Sequence, residues 1–315
     1  MEVAWFDHQK WEDISEFKTF EQPLNTENYK DIDADVISIF ASSNVSAEIL
    51  EEIRPKIVVT RSTGFDHIDL EKAEELEIEV YNVPHYGSNT VAEHAFALLL
   101  ALSKKIPQAE DKTHHEFAHD GLEGFELKNK KIGVIGTGEI GQKAIKMAKG
   151  FEMDVIAYDP YERKELEEDL GFMYVTLDHL VQKSDIISLH CPLTEDNHYL
   201  LSEDEFCQMN ETVIINTARG GLIKSEALLE ALENDSVSYA GLDVLELEDE
   251  MRAIEDFSKE TEFCCKEFQA NCELIEREDV IVTPHSAFNT REAKQRILET
   301  SLKNIEKRPE ENRVV

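Results

Sequence analysis

Residues 131–141 read KIGVIGTGEIG, and QKAIKMAKG (142–150) and MDVIAYD (153–159) follow them. KIGVI is a short apolar run of strand type, and the glycines after it form a G-x-G-x-x-G turn that opens a helical stretch. Each glycine has its own task in such a turn. Gly136 permits the tight bend, Gly138 lets the backbone approach a pyrophosphate, and Gly141 lets the helix pack closely on the strand. Glu139 and Ile140 complete the turn, and bound phosphates rest on the free N–H groups and the positive end of the helix. A glycine turn alone is common in α/β proteins. Asp159 narrows the reading, because it stands 18 residues after Gly141 at the end of the next strand. A carboxylate there accepts hydrogen bonds from an adenosine ribose and repels a 2′-phosphate, so the expected cofactor is NAD and not NADP.

Outward from this turn, strands and helices alternate in both directions. Toward the N-terminus, EVAWFD, ADVISIF, KIVVTRS and IEVYNVP are short runs rich in β-branched and aromatic residues, with helical stretches SAEILEEI and DLEKAEELE between the later ones. Toward the C-terminus come DIISLH, TVIINTA, VSYAGLDV and VIVTP. This alternation predicts parallel sheets covered by helices. A long amphipathic helix is expected from Thr90 to about Gln108, followed by the polar, histidine-bearing loop DKTHHEFAHDGLEGFELKNK. The charged segment from Glu246 to Glu278 reads as a surface excursion.

The bulk properties exclude several classes. A chain of 315 residues, 41% hydrophobic, is long for one core and comfortable for two domains. No run approaches the roughly 18 apolar residues needed to span a bilayer. The start, MEVAWFDHQKWED, lacks the basic and apolar regions of a signal peptide. Five cysteines (Cys191, Cys207, Cys264, Cys265 and Cys272) form no zinc-type pairs, which fits a reducing cytoplasm. The net charge of −35 argues against nucleic acid or an anionic membrane as partner. Because the expected ligands are themselves anions, either a local basic site overrides this field or high salt screens it, with a Debye length of about 3 Å at 1 M. A salt-rich cytoplasm and an ordinary acidic protein both remain open, since 22 of the 32 cationic residues are lysine.

A second constellation is scattered along the chain. Arg219, in NTARGG, follows the strand TVIIN, where ligands of α/β sheets gather. Its guanidinium can grip a carboxylate with two parallel hydrogen bonds. His285 follows the strand VIVTP, and Glu248 lies in the acid-rich GLDVLELEDE. Singly, each is as easily a surface ion-pair partner, a packed histidine or a solvated carboxylate. Together they supply what ketone reduction needs. Histidine titrates near neutrality and serves as proton donor, a carboxylate behind an imidazole orients the ring, and a cation holds the substrate carboxylate. His114, His115 and His119 lack acidic or thiol partners at useful spacing, so no metal is expected.

At this point the chain resembles the D-isomer-specific 2-hydroxyacid dehydrogenases, and within them the D-lactate dehydrogenase-like branch. The resemblance covers nearly the whole chain and is carried by TRSTGFDHIDL, NVPHYGSNTVAEHA, GVIGTGEIG, LHCPLTEDN, NTARGGLI, AGLDVLELE and TPHSAFNT. It implies that Arg219 binds the substrate carboxylate and polarises the carbonyl, and that His285 exchanges the proton with Glu248 paired to it. The 29-residue interval from Arg219 selects Glu248 over Glu246. By the same resemblance, the backbone N–H groups of Thr63 and Gly64 are a second carboxylate anchor, and Tyr86 and Phe288 shape the pocket. Asp243 holds the nicotinamide carboxamide, and Pro192 and Asn197 contact the cofactor. The bland readings stay beside these: core aromatics for Tyr86 and Phe288, a turn stabiliser for Asp243, a cap for Asn197. His190 reads as structural, and Phe40 is a weak candidate to close the pocket.

The resemblance further implies two doubly wound, Rossmann-like α/β domains with a cleft that closes by a hinge. Residues 1–99 and 285–315 would form a discontinuous substrate-binding domain, and 100–284 the NAD-binding domain. A cytoplasmic homodimer acting on a pyruvate-like 2-oxo acid is expected. Glyoxylate or hydroxypyruvate reduction, or an NAD-responsive binding role like that of the transcriptional corepressors, are the alternatives. Glu248 disfavours a formate dehydrogenase, which has an amide there, and no additional regulatory domain suggests a phosphoglycerate enzyme.

Overall fold

The structure is a computed structural model that describes residues 2–30, 32–252 and 265–315. It divides into two compact units: the residues up to Tyr86 together with Asn289–Val315, and Gly87–Phe288.

The first unit is built on five short strands, β1 (Val3–Trp5), β2 (Lys18–Thr19), β3 (Val36–Ile39), β4 (Ile57–Thr60) and β5 (Glu79–Tyr81). All pairings are parallel and the order is β2-β1-β3-β4-β5. Apolar runs such as IVVT bury both faces, as strands covered on two sides must. Successive residues point to opposite faces. Ile37, Ile39 and Val58 therefore pack with helices α1 (Ala47–Ile53) and α2 (Leu70–Glu75), while Val36, Ile57 and Val59 pack with the C-terminal helix Arg291–Lys307 through Leu298, Leu302 and Ile305. Beyond that helix the chain end returns to the edge of β5, where Val80 N–H donates to Val315 O (3.0 Å) and Val314 N–H to Val80 O (2.8 Å).

The second unit carries seven parallel strands, β6 (Lys131–Ile135), β7 (Asp154–Tyr158), β8 (Met173–Tyr174), β9 (Ile186–Leu189), β10 (Thr212–Asn216), β11 (Val237–Leu242) and β12 (Val280–Val282). Their order is β12-β11-β10-β9-β6-β7-β8, so the direction of winding reverses between β6 and β9. One face is covered by α3 (Ser88–Ser103) and α5 (Glu139–Gly150). The other is covered by α7 (Leu177–Lys183), α9 (Ser225–Glu233) and α11 (Lys266–Glu276). The shorter helices α4 (Ile106–Thr113), α6 (Lys164–Leu170), α8 (Glu203–Phe206) and α10 (Glu248–Arg252) lie between them in sequence. Both units are doubly wound α/β sheets of Rossmann-like type, with crevices expected at the carboxyl ends of the strands where the order reverses.

Several elements differ from their sequence reading. The expected helix from Thr90 to Gln108 is two helices, α3 and α4, broken where Lys105 adopts a left-handed backbone (φ 48°). The expected division at residue 99 falls inside α3, whose Ala92, Ala95, Leu99 and Leu102 pack with Ala144, Ile145 and Ala148 of α5. Compactness groups the whole helix, and the stretch from His285 to Phe288, with the second unit. The segment from Glu246 to Glu278 is no surface excursion where it is described. Glu246 and Met251 are buried, and Phe268, Asn271 and Leu274 of α11 pack inward. Residues 253–264, Cys264 among them, lie outside the described residues. The two-residue strands β2 and β8 were too short to carry a period. Among the described residues, no helix is long and apolar enough to cross a membrane.

Candidate active site

Steric contacts at the turn after β6 explain its glycines. Gly136 has φ 93°, and a Cβ there would fall 2.7 Å from the carbonyl carbon of His190, at the end of β9. The turn is thus wedged into the point where the strand order reverses. A Cβ on Gly141 would lie 2.0 Å from Gly136 O, so no side chain fits where α5 crosses the turn. Gly138 differs: a Cβ would meet nothing within 4 Å. The exposed face of the turn is therefore open to a ligand, with the first turn of α5 beneath it. Glu139 is exposed at that helix start and accepts from Ser88 Oγ (2.7 Å), while Ile140 is half-buried in the core.

Asp159 stands at the end of β7, next to the turn. Its Oδ2 accepts from the backbone N–H (2.8 Å) and hydroxyl (2.9 Å) of Thr137, and its Oδ1 from Tyr161 N–H (2.9 Å). A hollow of about 610 Å³ lies beside it, lined in part by Asp159, Pro160, Val175, Leu177 and Asp178. A glycine cradle that a Cβ would fill, a helix N-terminus and an acid beside a hollow suit a dinucleotide. Pro192 and Asn197 follow β9. Asn197 donates to Pro192 O (2.8 Å) and accepts from Thr194 N–H (2.7 Å), so its side chain folds this loop. His190 is buried, with Nε2 2.8 Å from Ser188 Oγ and Nδ1 without a partner, and burial pushes its pKa down to about 4.

Arg219, Glu248 and His285 all belong to the second unit, and the backbone brings their segments together. Asn216, at the end of β10, accepts from Ala218 N–H (3.0 Å) and donates to Arg219 O (2.9 Å), which bends the chain around Arg219. Gly220 then lies so close to the next segment that a Cβ would fall 1.9 Å from Leu245 O. That contact seats the arginine loop on the residues leading to Glu248. Glu248 Oε1 accepts from Leu245 N–H (3.2 Å), and Oε2 lies 2.7 Å from His285 Nδ1. The pair is partly exposed, 29% for His285 and 23% for Glu248, so solutes can reach it. The neighbouring acid is turned elsewhere: Glu246 is buried and accepts from Ser225 N–H at the start of α9 (2.8 Å).

Asp243 is almost wholly buried, 1% exposed, behind the His285 loop. Its Oδ1 accepts from Thr283 Oγ1 and Ser286 N–H (2.9 Å), and its Oδ2 from Ala287 N–H (2.9 Å). Burial raises its carboxyl pKa, but the His94, Thr283 and backbone hydrogen bonds outweigh this and hold it below the usual carboxylate range. Phe288 follows in the same loop and is half-buried.

Thr63, Gly64 and Tyr86 lie in the first unit. Ser62 Oγ donates to Gly64 O (2.6 Å), Thr63 Oγ1 donates to Val83 O (3.2 Å), and Asn82 Nδ2 donates to Thr63 O (2.8 Å). Tyr86 O accepts from Arg296 Nε (2.8 Å). Beneath the loop lies a buried ion pair, Arg61 Nε to Glu12 Oε1 at 3.1 Å, both side chains 0% exposed. Among the described residues no cluster of three or more side chains is arranged to hold a metal, and His114 pairs with Glu110 (2.8 Å).

Residues 96–287 match the family model of the D-isomer specific 2-hydroxyacid dehydrogenase NAD binding domain. The chain belongs to this family. It is 40% identical over 276 residues to D-lactate dehydrogenase of Escherichia coli, covering 86% of this chain and 82% of that one. It is 38% identical over 271 residues to hydroxypyruvate reductase of Thermotoga maritima, covering 84% and 81%. The crystal structure of D-lactate dehydrogenase from Aquifex aeolicus complexed with NAD and lactic acid superposes with a TM-score of 0.88, at 30% identity over 99% of both chains. The protein is an NAD-dependent 2-hydroxyacid dehydrogenase, and the residues that match the family's NAD binding domain fall within its second unit.

The sequence did not single out Asn216, Thr283 or His94, and Glu246 entered only as the acid passed over for Glu248. All four stand in motifs already quoted, Asn216 in NTARGG, Glu246 in AGLDVLELE, Thr283 in TPHSAFNT and His94 in VAEHA, but a polar side chain gives no sign of its partner before folding.

Proposed function

We propose that this dehydrogenase interconverts a short 2-oxo acid of pyruvate type and its D-2-hydroxy acid, with Arg219, Glu248 and His285 as the reacting constellation. The observation that carries the reading is the 2.7 Å contact between Glu248 Oε2 and His285 Nδ1, partly exposed and in the unit that holds the glycine turn. With Nδ1 committed to the carboxylate, Nε2 is the nitrogen left to face a substrate. His285 then donates a proton from Nε2 to the ketone oxygen in reduction and takes it back in oxidation. Arg219 grips the substrate carboxylate with its planar guanidinium and draws density from the carbonyl. NADH, when bound at the glycine turn, supplies the hydride. Gly136, Gly138, Glu139, Ile140, Gly141 and Asp159 would hold it, with Pro192, Asn197 and Asp243 as further contacts.

The lactate-like motifs and the Aquifex aeolicus relative solved with lactic acid support pyruvate and D-lactate. The relative named hydroxypyruvate reductase supports the second reading, a hydroxypyruvate or glyoxylate reductase. Phe288, and Tyr86 in the other unit, are the side chains proposed to discriminate by size, and Thr63 and Gly64 the second carboxylate anchor. A homodimer, a cytoplasmic location and salt-screened operation of a chain with net charge −35 belong to the same proposal.

The test is NADH oxidation against pyruvate, hydroxypyruvate, glyoxylate and branched or aromatic 2-oxo acids, repeated from low to multimolar KCl. Highest kcat/KM with pyruvate supports the first reading, and highest kcat/KM with hydroxypyruvate or glyoxylate the second. Activity rising with salt supports the saline reading, and activity falling with salt removes it. Arg219→Gln should raise the oxo-acid KM sharply and lower kcat while NADH affinity changes little. Unchanged kcat and KM would sink that assignment.

A further inference from the structure

We infer that His94 is a positioning residue for His285, acting through Thr283 and Asp243. The inference rests on the proposed role of His285 and adds a device that aims it. His285 sits at φ 50°, a left-handed backbone that a non-glycine residue keeps only when its surroundings impose it. His285 N–H donates to the backbone oxygens of Asp243 (2.8 Å) and Thr283 (2.9 Å), and the two following amides, Ser286 and Ala287, both donate to the Asp243 carboxylate, at 2.9 Å each. The loop is therefore wrapped around one buried carboxylate.

That carboxylate is fixed in turn from a separate element. Thr283 Oγ1 donates its single proton to Asp243 Oδ1. His94 Nε2, on α3, lies 2.9 Å from Thr283 Oγ1 and 3.4 Å from Asp243 Oδ1. Since the hydroxyl proton is already committed and a carboxylate only accepts, His94 Nε2 must be the donor. A chain of hydrogen bonds thus runs from His94 through Thr283 to Asp243, and from Asp243 to the amides of Ser286 and Ala287. Residues 94 and 283 are 189 apart in sequence, so the chain ties the long helix α3 to the loop that carries His285. Such a tie fixes the rotation of the carboxylate and with it the direction of the imidazole.

The test uses the whole chain with His94→Phe, His94→Gln and Thr283→Val. Two readouts are taken. One is steady-state reduction of the best 2-oxo acid, and the other is amide hydrogen exchange of Ser286 and Ala287 in the protein without cofactor. Removal of the donor in His94→Phe should lower kcat by about tenfold or more, as misplacing a reacting group does. The oxo-acid KM should stay within about twofold, and Ser286 and Ala287 should exchange faster. His94→Gln, which keeps an N–H donor, should restore most of kcat. Thr283→Val, nearly isosteric, should reproduce His94→Phe even if that variant folds poorly. Wild-type kcat and wild-type exchange in both His94→Phe and Thr283→Val would overturn the inference, as would failure of glutamine to rescue a folded His94→Phe. If the wild type turned over no 2-oxo acid while exchange still responded to His94, the proposed function would fail and the loop-holding role would stand.

Discussion

The two units hold their loops by different physics. In the second unit the turn Gly136–Gly141 is held by contact, since the backbone of β9 and of α5 come so close that side chains at Gly136 and Gly141 are forbidden. In the first unit the loop Ser62–Gly64 follows a charge that water cannot reach. Arg61 is fully buried, paired with Glu12, and donates to Ser38 Oγ (3.0 Å) and Phe6 O (2.6 Å) while lying over the Trp5 ring (4.4 Å). Burial pulls its pKa down to about 10 against the raising pull of Glu12 and Asp7. Contact geometry is local and tolerates no added atom. A buried ion pair is long-range and tolerates no lost partner.

The sharpest way to break the comparison is to remove that cation. Arg61→Leu leaves the buried Glu12 carboxylate without its counter-charge, held only by Trp5 Nε1 and Gln9 N–H, and should cost about 3–5 kcal/mol in denaturant unfolding. The double variant Arg61→Leu with Glu12→Leu should recover much of the loss, because the uncompensated charge goes with it. A single variant as stable as the wild type would mean that the pair holds nothing.

The second unit has a buried titratable group of its own, and it carries no counter-charge. His190 falls from 6.5 to about 4 through burial, so the folded state binds its proton less readily than the unfolded chain. Its contribution is complete above pH 6.5 and is lost as the pH falls toward 4, to a limit of about 3 kcal/mol. His190→Asn should flatten stability across that window, measured by thermal unfolding as a function of pH. An unchanged pH slope would show that His190 is not the group that fails in acid.

Smaller effects separate the glycines. Gly141→Ala places a Cβ 2.0 Å from a backbone oxygen and should weaken NADH binding about tenfold, or ~1.4 kcal/mol, by fluorescence titration. Gly138→Ala adds a methyl where nothing lies within 4 Å, so unfolding should change by no more than about 0.5 kcal/mol. NADH affinity should nevertheless fall in Gly138→Ala. Should it stay constant, the pyrophosphate does not approach the backbone there.

This contrast also explains what could be read in advance. The glycine turn and the strand ends around it follow from spacing, because sterics over a dozen residues do not depend on the rest of the chain. The Glu248 choice rested on a resemblance and an interval, and in the structure Glu248 pairs with His285 while Glu246 binds the start of α9. The break between α3 and α4 is marked only by Pro107, which stands in the first turn of α4 as readily as in the last turn of one long helix, and the burial of α11 is hidden because its apolar residues Phe268 and Leu274 are sparse among charges.

By itself the sequence determined the α/β class, the glycine turn with its acid at residue 159, and the motifs that carry the family. These depend on local period, glycine stereochemistry and residue order. Only the tertiary structure decided that α3 belongs to the second unit, that Arg61 is neutralised by Glu12, and that Asp243 is wrapped by the His285 loop and tied to His94. The hydrogen bonds around Asp243 and His94 join residues from 40 to 189 positions apart. A hydrogen bond or ion pair at that distance leaves no local pattern, because its geometry exists only after the sheets have brought the strand ends together.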